Sequence, residues 1–561
     1  MDIVLGFDFA NPPNVVIPRI PHASSPMRMQ RSWPSDEDLG FHRLSREEME
    51  LLEPKADGGV PVDLGADENN AIFVNARAVG LPPRESQWQM AALLLRQNLL
   101  AVWDVGCGKT LLAALAAQLL LRDDVNVTKV IVIVPKSLTQ NFRDTLLTLG
   151  MNDDEIDNDF DITTAAKFHK QFENMLSTDE RARNRAKRAL DAKMFGAFLI
   201  IDEAHEFRTA LFPAKGEGLR SFIMVEAAHR CVRVLALTAT PLVNRPFELS
   251  NLMAIVRQER FPLVRYAFEF LQSNNKYPGK YSNGEREGHL ANYAGGLISF
   301  VEQNKDDFPA VTEERVVILL TEEQQRHMHK VELLDENAMR KSRLNGFSSN
   351  FHSGTRTISN KSGTENAVAV ESSKAMKVVA LLKERPGPAI VYSEFLSAGQ
   401  HMAKAVLEGE GITTSLFNGT LSEEERLRAK EEFDSGNSQV LLISKAGNLG
   451  LDFKGVQTVI CMEPGWNRAV MRQAIGRAVR YRSHTHLPVD KRNVKVFHLI
   501  VQKNEELADE LRASAKTGDG ILAYLAKKKE PVITAFLDDL RKISVELQPK
   551  DTDAGVKIER K

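Results

Sequence analysis

The chain has 561 residues, 43% of them apolar and 26% charged, with a formal net charge of −2. That length exceeds a single core and predicts roughly two to four domains, while the near-neutral balance excludes a global pull towards nucleic acid or acidic lipid. Cys107, Cys231 and Cys461 stand too far apart for a CxxC pair, which argues against a zinc site or disulfide framework. The N-terminus lacks a signal-peptide pattern, and the longest apolar run (111–121) is too short to span a bilayer, so an intracellular, soluble chain with no membrane partner is expected.

In chain order, residues 1–75 carry prolines and scattered charge without an apolar period and read as an irregular extension. From 76 the pattern tightens. LLAVW leads into WDVGCGKT (103–110), and LLAALAAQLLLRDD follows as an Ala- and Leu-rich helix. KVIVIVP, AFLIID and RVLALTATP each have the length of a buried parallel strand, with helical stretches between them, which predicts a doubly wound α/β unit over 76–255. RARNRAKR (181–188) spreads charge over nearly all sides of a helix and reads first as a solvated surface and second as an aid to nucleic-acid binding. Residues 256–375 read as a helical insertion and flexible linker, because 343–373 is rich in Ser, Asn, Gly and Thr and has no apolar period. PAIVYSEF, TTSLFNG, QVLLISKAG, TVICMEP and KVFHLIV predict a second α/β unit over 376–505, and a C-terminal helical tail follows over 506–561.

WDVGCGKT departs from the usual phosphate-binding loop by placing Trp103 where glycine stands. The rest keeps the chemistry. Between a strand and a helix N-terminus, Gly106 and Gly108 let backbone N–H groups approach an anion, Lys109 supplies charge to the β and γ phosphates, and Thr110 offers a hydroxyl to Mg²⁺. Taken alone, GCGKT also reads as a chance helix-capping turn. LIIDEAH puts Asp202 and Glu203 at a strand end, one acid to hold Mg²⁺ through water and its neighbour to orient or deprotonate the attacking water. QAIGRAVR sets Arg477 and Arg480 on one helical face, as arginine fingers, with Gln473 just ahead of them; an isolated pair would read as solvated surface. Cys107 reads first as a small residue tolerated in the loop and second as an oxidisable thiol.

The ordered series GCGKT, DEAH, LTATP, SKAGNLGLDF and QAIGRAVR resembles the motor core of superfamily-two helicases, whose two lobes bind ATP in the cleft between them. The resemblance implies an α/β fold of two RecA-like parallel-sheet lobes in tandem, with a helical insertion and a C-terminal helical tail. IVPKSLTQNF and EPGWNRAVMRQAIGRAVR are closer to the Snf-type DNA translocases, with Arg468 where proline is usual. YRSH (481–484), THLPVDKRNVKVFHLI and AKKKEPVITAFLDDL resemble the viral branch represented by poxvirus nucleoside triphosphatase I and the early transcription factor ATPase. The likeness covers about residues 80 to 545.

By position, it implies ATP and Mg²⁺ as cofactors and Gln87 as the reader of adenine, with Gln89 as a rival. Gly106, Cys107, Gly108, Lys109, Thr110 and Gln473 would contact the nucleotide; Thr110 and Asp202 would hold the metal. Lys109, Asp202 and Glu203 would act from one lobe, Arg477 and Arg480 from the other. His205, Thr238 and Thr240 would couple hydrolysis to lobe movement, and Pro135, Lys136, Thr164, Ser444 and Gly447 would line the nucleic-acid track. Trp103 would pack beside the loop. The expected function is a nucleic-acid-dependent ATPase that moves on duplex DNA, in viral transcription or with packaging machinery. The alternatives are an RNA helicase, and a transcription or packaging factor that uses ATP as a conformational switch.

Overall fold

LLAVW, AFLII, AIVY, VLLI and TVIC are buried at every residue. Short apolar runs sealed on both faces are suited to parallel sheets covered by helices on each side. The computed structural model describes residues 70–208, 217–243, 246–259, 290–302 apart from residue 292, 307–343, 353–360, 372–444, 453–465, 468–510 and 517–547.

The first sheet runs in the order β3 (Phe160–Thr163), β2 (Lys129–Ile133), β4 (Ala197–Ile201), β5 (Arg233–Thr238), β1 (Leu99–Trp103) and β6 (Ile298–Val301). The second runs β7 (Ala310–Leu319), β12 (Asn493–Gln502), β11 (Thr458–Cys461), β8 (Ala389–Tyr392), β10 (Val440–Ile443) and β9 (Thr414–Phe417). Every pairing in both sheets is parallel. These are two RecA-like lobes in tandem. The helices include α1 (Ala71–Ala78), α2 (Glu85–Leu93), α3 (Lys109–Asp123), α4 (Glu180–Met194), α5 (Ser353–Asn360), α6 (Ser373–Glu384), α7 (Arg468–Ile475) and α8 (Gly518–Lys542). In α3 the alanines and leucines from Leu112 to Ala117 are all buried, since small side chains let the helix lie close on the sheet. Among the described residues no helix is long and apolar enough to cross a membrane.

Residues 256–375 hold the helix Glu322–Arg343 and, beyond the sequence reading, an edge strand for each sheet. β6 pairs with β1, and β7 pairs with β12 along its length. β7 is hard to find from apolar runs because most of its side chains are exposed and its middle is charged: Glu313 pairs with His498 at 2.8 Å and Glu314 with Lys495 at 2.7 Å across the ladder. Within the 343–373 stretch read as loop or linker, Ser353–Asn360 is helical, which corrects that expectation. This helix is polar and nonetheless buried at Thr355, Arg356, Ser359 and Asn360, because neighbours satisfy its groups. Arg356 donates to Glu394 at 2.8 Å, and Asn360 accepts from Lys374 at 3.0 Å. α1 overlaps the end of the stretch read as irregular; residues 1–69 lie outside the described residues. RARNRAKR lies in α4, which buries Ala186, Leu190 and Met194 on one face and leaves most of its charges to solvent.

Candidate active site

Trp103 closes β1 with its ring 0% exposed and its indole N–H donating to Ser299 Oγ at 2.7 Å. Its carbonyl accepts Lys109 Nζ at 2.9 Å, and the Asp104 carbonyl accepts the same ammonium at 3.2 Å. A carbonyl is common to all residues, so this position needs no glycine. The next two glycines are needed: Gly106 (φ +81°) and Gly108 (φ +82°) sit in the left-handed region. A Cβ on Gly108 would collide with the Gln87 amide, and one on Gly106 would lie 3.1 Å from the Phe308 ring. Gly108 caps α3, whose first N–H groups and dipole make an anion site. Lys109 and Thr110 begin that helix. Burial lowers the Lys109 pKa from its ordinary value, against the pull of Glu203 and Asp202.

Gln87 is 2% exposed and braces the loop: its Oε1 accepts the Arg84 N–H at 2.8 Å and its Nε2 donates to the Gly108 carbonyl at 3.0 Å. Gln89 instead donates to Glu85 on the exposed side of α2 at 2.9 Å. Cys107 is buried inside the loop, and burial, with Asp104 adding to it, pushes its thiol up to about 11.

β4 delivers the acids, and β5, which lies between β4 and β1, delivers the threonines. The Asp202 N–H donates to Ile133 of β2 at 2.9 Å, and the Glu203 N–H donates to Asp202 Oδ1 at 2.9 Å. Glu203 has φ +51°, a left-handed backbone that costs a side-chain-bearing residue about 1–2 kcal/mol and turns its carboxylate to His205. The two acids split. Burial, then the charge of Glu203, raises Asp202 to about 6. Burial also opposes ionisation of Glu203, but the His205 hydrogen bond, Lys109 and Arg477 outweigh it and hold that carboxyl at about 2. His205 Nδ1 lies 3.2 Å from Glu203 Oε2 and 3.3 Å from the Thr238 hydroxyl, which accepts the Thr240 N–H at 3.0 Å. DEAH and TATP are thereby linked. The Thr240 hydroxyl is buried with no hydrogen-bond partner among the described residues, as suits a group facing a ligand.

α7 brings the second lobe to this loop. A Cβ on Gly476 would lie 2.8 Å from Val105 Cγ1, and Arg480 Cδ lies 3.5 Å from the Cβ position of Gly106. Arg477 is buried and its charge is felt at Glu203; that of Arg480 is felt at Lys109. Gln473 sits half-buried on α7. YRSH fastens the turn behind Arg480: Ser483 Oγ accepts the Arg480 N–H at 3.3 Å, and His484 bridges Ser483 Oγ and the Val456 carbonyl, each at 2.8 Å. A carbonyl only accepts, so Nε2 of His484 carries the proton. Burial, helped by the charge of His486, lowers the His484 pKa from its ordinary value.

The structure thus brings Gln87, Gly106, Cys107, Gly108, Lys109, Asp202, Glu203, His205, Thr238, Thr240, Arg477 and Arg480 to one cleft between the lobes. Pro135, Lys136 and Thr164 stand instead beyond the ends of β2 and β3, and Ser444 follows β10. Exposed Lys136 meets Glu423 of the second lobe at 3.6 Å, and Thr164 caps a helix by accepting the Lys167 N–H. Gly447 lies outside the described residues. Sequence reasoning missed Gly476 as a point of close approach, and it missed Arg84, whose guanidinium lies 4.1 Å over the Tyr481 ring across the cleft. The glycine inside QAIGRAVR was a usable signal; no local pattern marks Arg84.

The chain matches the DEAD/DEAH box helicase family over residues 84–247 and the helicase conserved C-terminal domain over 373–482. With two parallel-sheet lobes facing one cleft, these matches define the class: the chain is a superfamily-two helicase-like ATPase, an ATP hydrolase. Its similarities run to viral proteins. It is 27% identical to a putative ATP-dependent RNA helicase of Acanthamoeba polyphaga mimivirus, over 54% of this chain and 68% of that protein. It is 24% identical to the termination factor NPH-I homolog of African swine fever virus, over 80% and 76% respectively. A shorter stretch, 21% of this chain and 17% of the relative, is 32% identical to nucleoside triphosphatase I of Heliothis armigera entomopoxvirus.

Proposed function

We propose that this ATPase is a Snf-type translocase that converts closing and reopening of its cleft into movement along duplex DNA, in viral transcription. The observation that carries the reading is the split site: the acids and lysine come from one lobe, and Arg477 and Arg480 come from the other at the contact of Gly476 with Val105. Lys109 and the N–H groups of the loop hold the β and γ phosphates. Thr110 and Asp202 hold Mg²⁺, which supplies charge neutralisation at the phosphates. Glu203, kept ionised by His205, orients the attacking water. Arg477 and Arg480 meet the charge that builds on the γ-phosphate, with Gln473 beside them. Gln87 has one N–H and one lone pair left after bracing the loop, and these read the adenine. His205, Thr238 and Thr240 carry the state of the γ-phosphate to the lobe contact.

Pro135, Lys136, Thr164, Ser444 and Gly447 make the track, gripping phosphates without regard to sequence. Support for DNA and transcription comes from the Snf-type motifs and from the termination-factor name of one relative. The RNA-helicase name of another favours a second reading, unwinding of RNA. One panel separates them: phosphate release with no nucleic acid, single-stranded DNA, duplex DNA or RNA, each repeated with Lys109→Ala. The proposal expects the largest stimulation from duplex DNA and none in the variant. Stimulation by RNA alone, with strand separation on a partial duplex, would replace it with the second reading.

A further inference from the structure

β6 is four residues long, forms the outer strand of the first sheet and lies next to the strand that carries the phosphate-binding loop. The side of an edge strand that faces away from its sheet leaves backbone groups to be satisfied elsewhere. Here the turn Val545–Leu547, just after α8, occupies that side. The Glu546 carboxylate accepts the Phe300 N–H at 3.1 Å and the Ser299 hydroxyl. Ile543 and Val545 are buried, and Arg541 pairs with Glu302 at 2.5 Å. The helix that brings this turn starts in the other lobe, where Asp519 meets Lys374 at 2.6 Å in a fully buried ion pair, and Thr517 donates to Val501 of β12 at 2.8 Å.

Ser299 is fully buried and has one hydroxyl proton. Because Glu546 takes that proton, the oxygen presents its lone pairs to the Trp103 indole N–H, 2.7 Å away. Trp103 then offers its carbonyl to Lys109. We propose that Glu546 is a positioning residue for the ATP site, acting through Ser299 and Trp103 on Lys109. The inference rests on Lys109 being the phosphate-binding lysine. It also gives a use to the tryptophan that replaces the first loop glycine, since glycine has no side chain with which to make this link.

The test uses the full chain, with Glu546→Ala, Ser299→Ala, their double variant and Glu546→Gln. Steady-state hydrolysis is measured alongside Trp103 emission in a background carrying Trp33→Phe, Trp88→Phe and Trp466→Phe. Glu546→Ala should raise the KM for ATP about tenfold, the scale of one charge-assisted hydrogen bond, with a smaller effect on kcat and a shifted Trp103 emission. Ser299→Ala should do the same, and the double variant should be no worse than either, because all three break one chain of contacts. Glu546→Gln keeps an acceptor for Ser299 and should recover most of the loss. A parental KM and emission in Glu546→Ala, additive effects in the double variant, or a lowered Tm without a change in KM would overturn the proposal. Lys109→Ala separates the failures: retained hydrolysis in that variant removes the phosphate-site reading and this inference together, whereas a parental Glu546→Ala in a protein that Lys109→Ala inactivates removes the relay alone.

Discussion

In the first lobe, Lys109, Asp202, Glu203, His205 and Thr238 are held by direct hydrogen bonds made within that lobe, whereas Arg477 and Arg480 come from the second lobe, beside the approach of Gly476 to Val105. One wall takes its direct hydrogen bonds from its own lobe, with Glu546 reaching it at second hand; the other has chemical meaning only when the cleft is shut. Binding and turnover should therefore separate by lobe.

The largest expected effect breaks the comparison open at both ends. Lys109→Ala should abolish ATP binding and hydrolysis together, while Arg480→Ala should cut kcat by about a thousandfold or more and leave the Kd for a fluorescent ATP analogue close to parental. Equal loss of binding in both variants would mean that the walls are not independent. Next comes the contact itself. Gly476→Ala should lower kcat about a hundredfold, more than it lowers Tm, because the added methyl meets Val105 and holds the loop and arginines apart, and Val105→Ala in the same chain should restore part of the rate.

A smaller effect concerns the turn behind Arg480. The folded pKa of His484 lies below its ordinary value, so the folded chain binds fewer protons there than the unfolded chain, and its contribution to stability is present above the unfolded pKa and lost as pH falls. Tm should drop below about pH 6.5, and His484→Gln should flatten that acid limb; identical profiles would dismiss the residue as a source of it. The smallest effect is at Cys107. A thiol raised to about 11 is protonated at pH 8, so iodoacetamide should leave ATPase activity intact there, and labelling should quicken only as pH climbs towards that value.

The residues that meet in the candidate site were legible in the sequence because they sit in contiguous stretches: glycine followed by lysine, two acids after an apolar run, two arginines at helical spacing. The core strands were legible for a related reason, each being an apolar run with nothing polar inside it. What escaped depends on partners distant in the chain. β7 is an edge strand whose charges are matched by β12, and α5 is polar because Glu394, Glu463 and Lys374 satisfy it from other elements. Arg84 over Tyr481, and Ser299 with Glu546, join positions hundreds of residues apart. Gln87 was found for its place near the loop, but its hydrogen bonds to Arg84 and Gly108 were visible only in the fold.

The dependence of β6 on the C-terminal turn has a consequence in time. Glu546 is made 247 residues after Ser299, an interval of about 12–50 s at ribosomal speeds of roughly 5–20 residues per second. Throughout that interval the first lobe leaves the ribosome with the outer side of β6 bare beside the GCGKT loop, so a nascent chain stalled before α8 would be prone to clump with its neighbours.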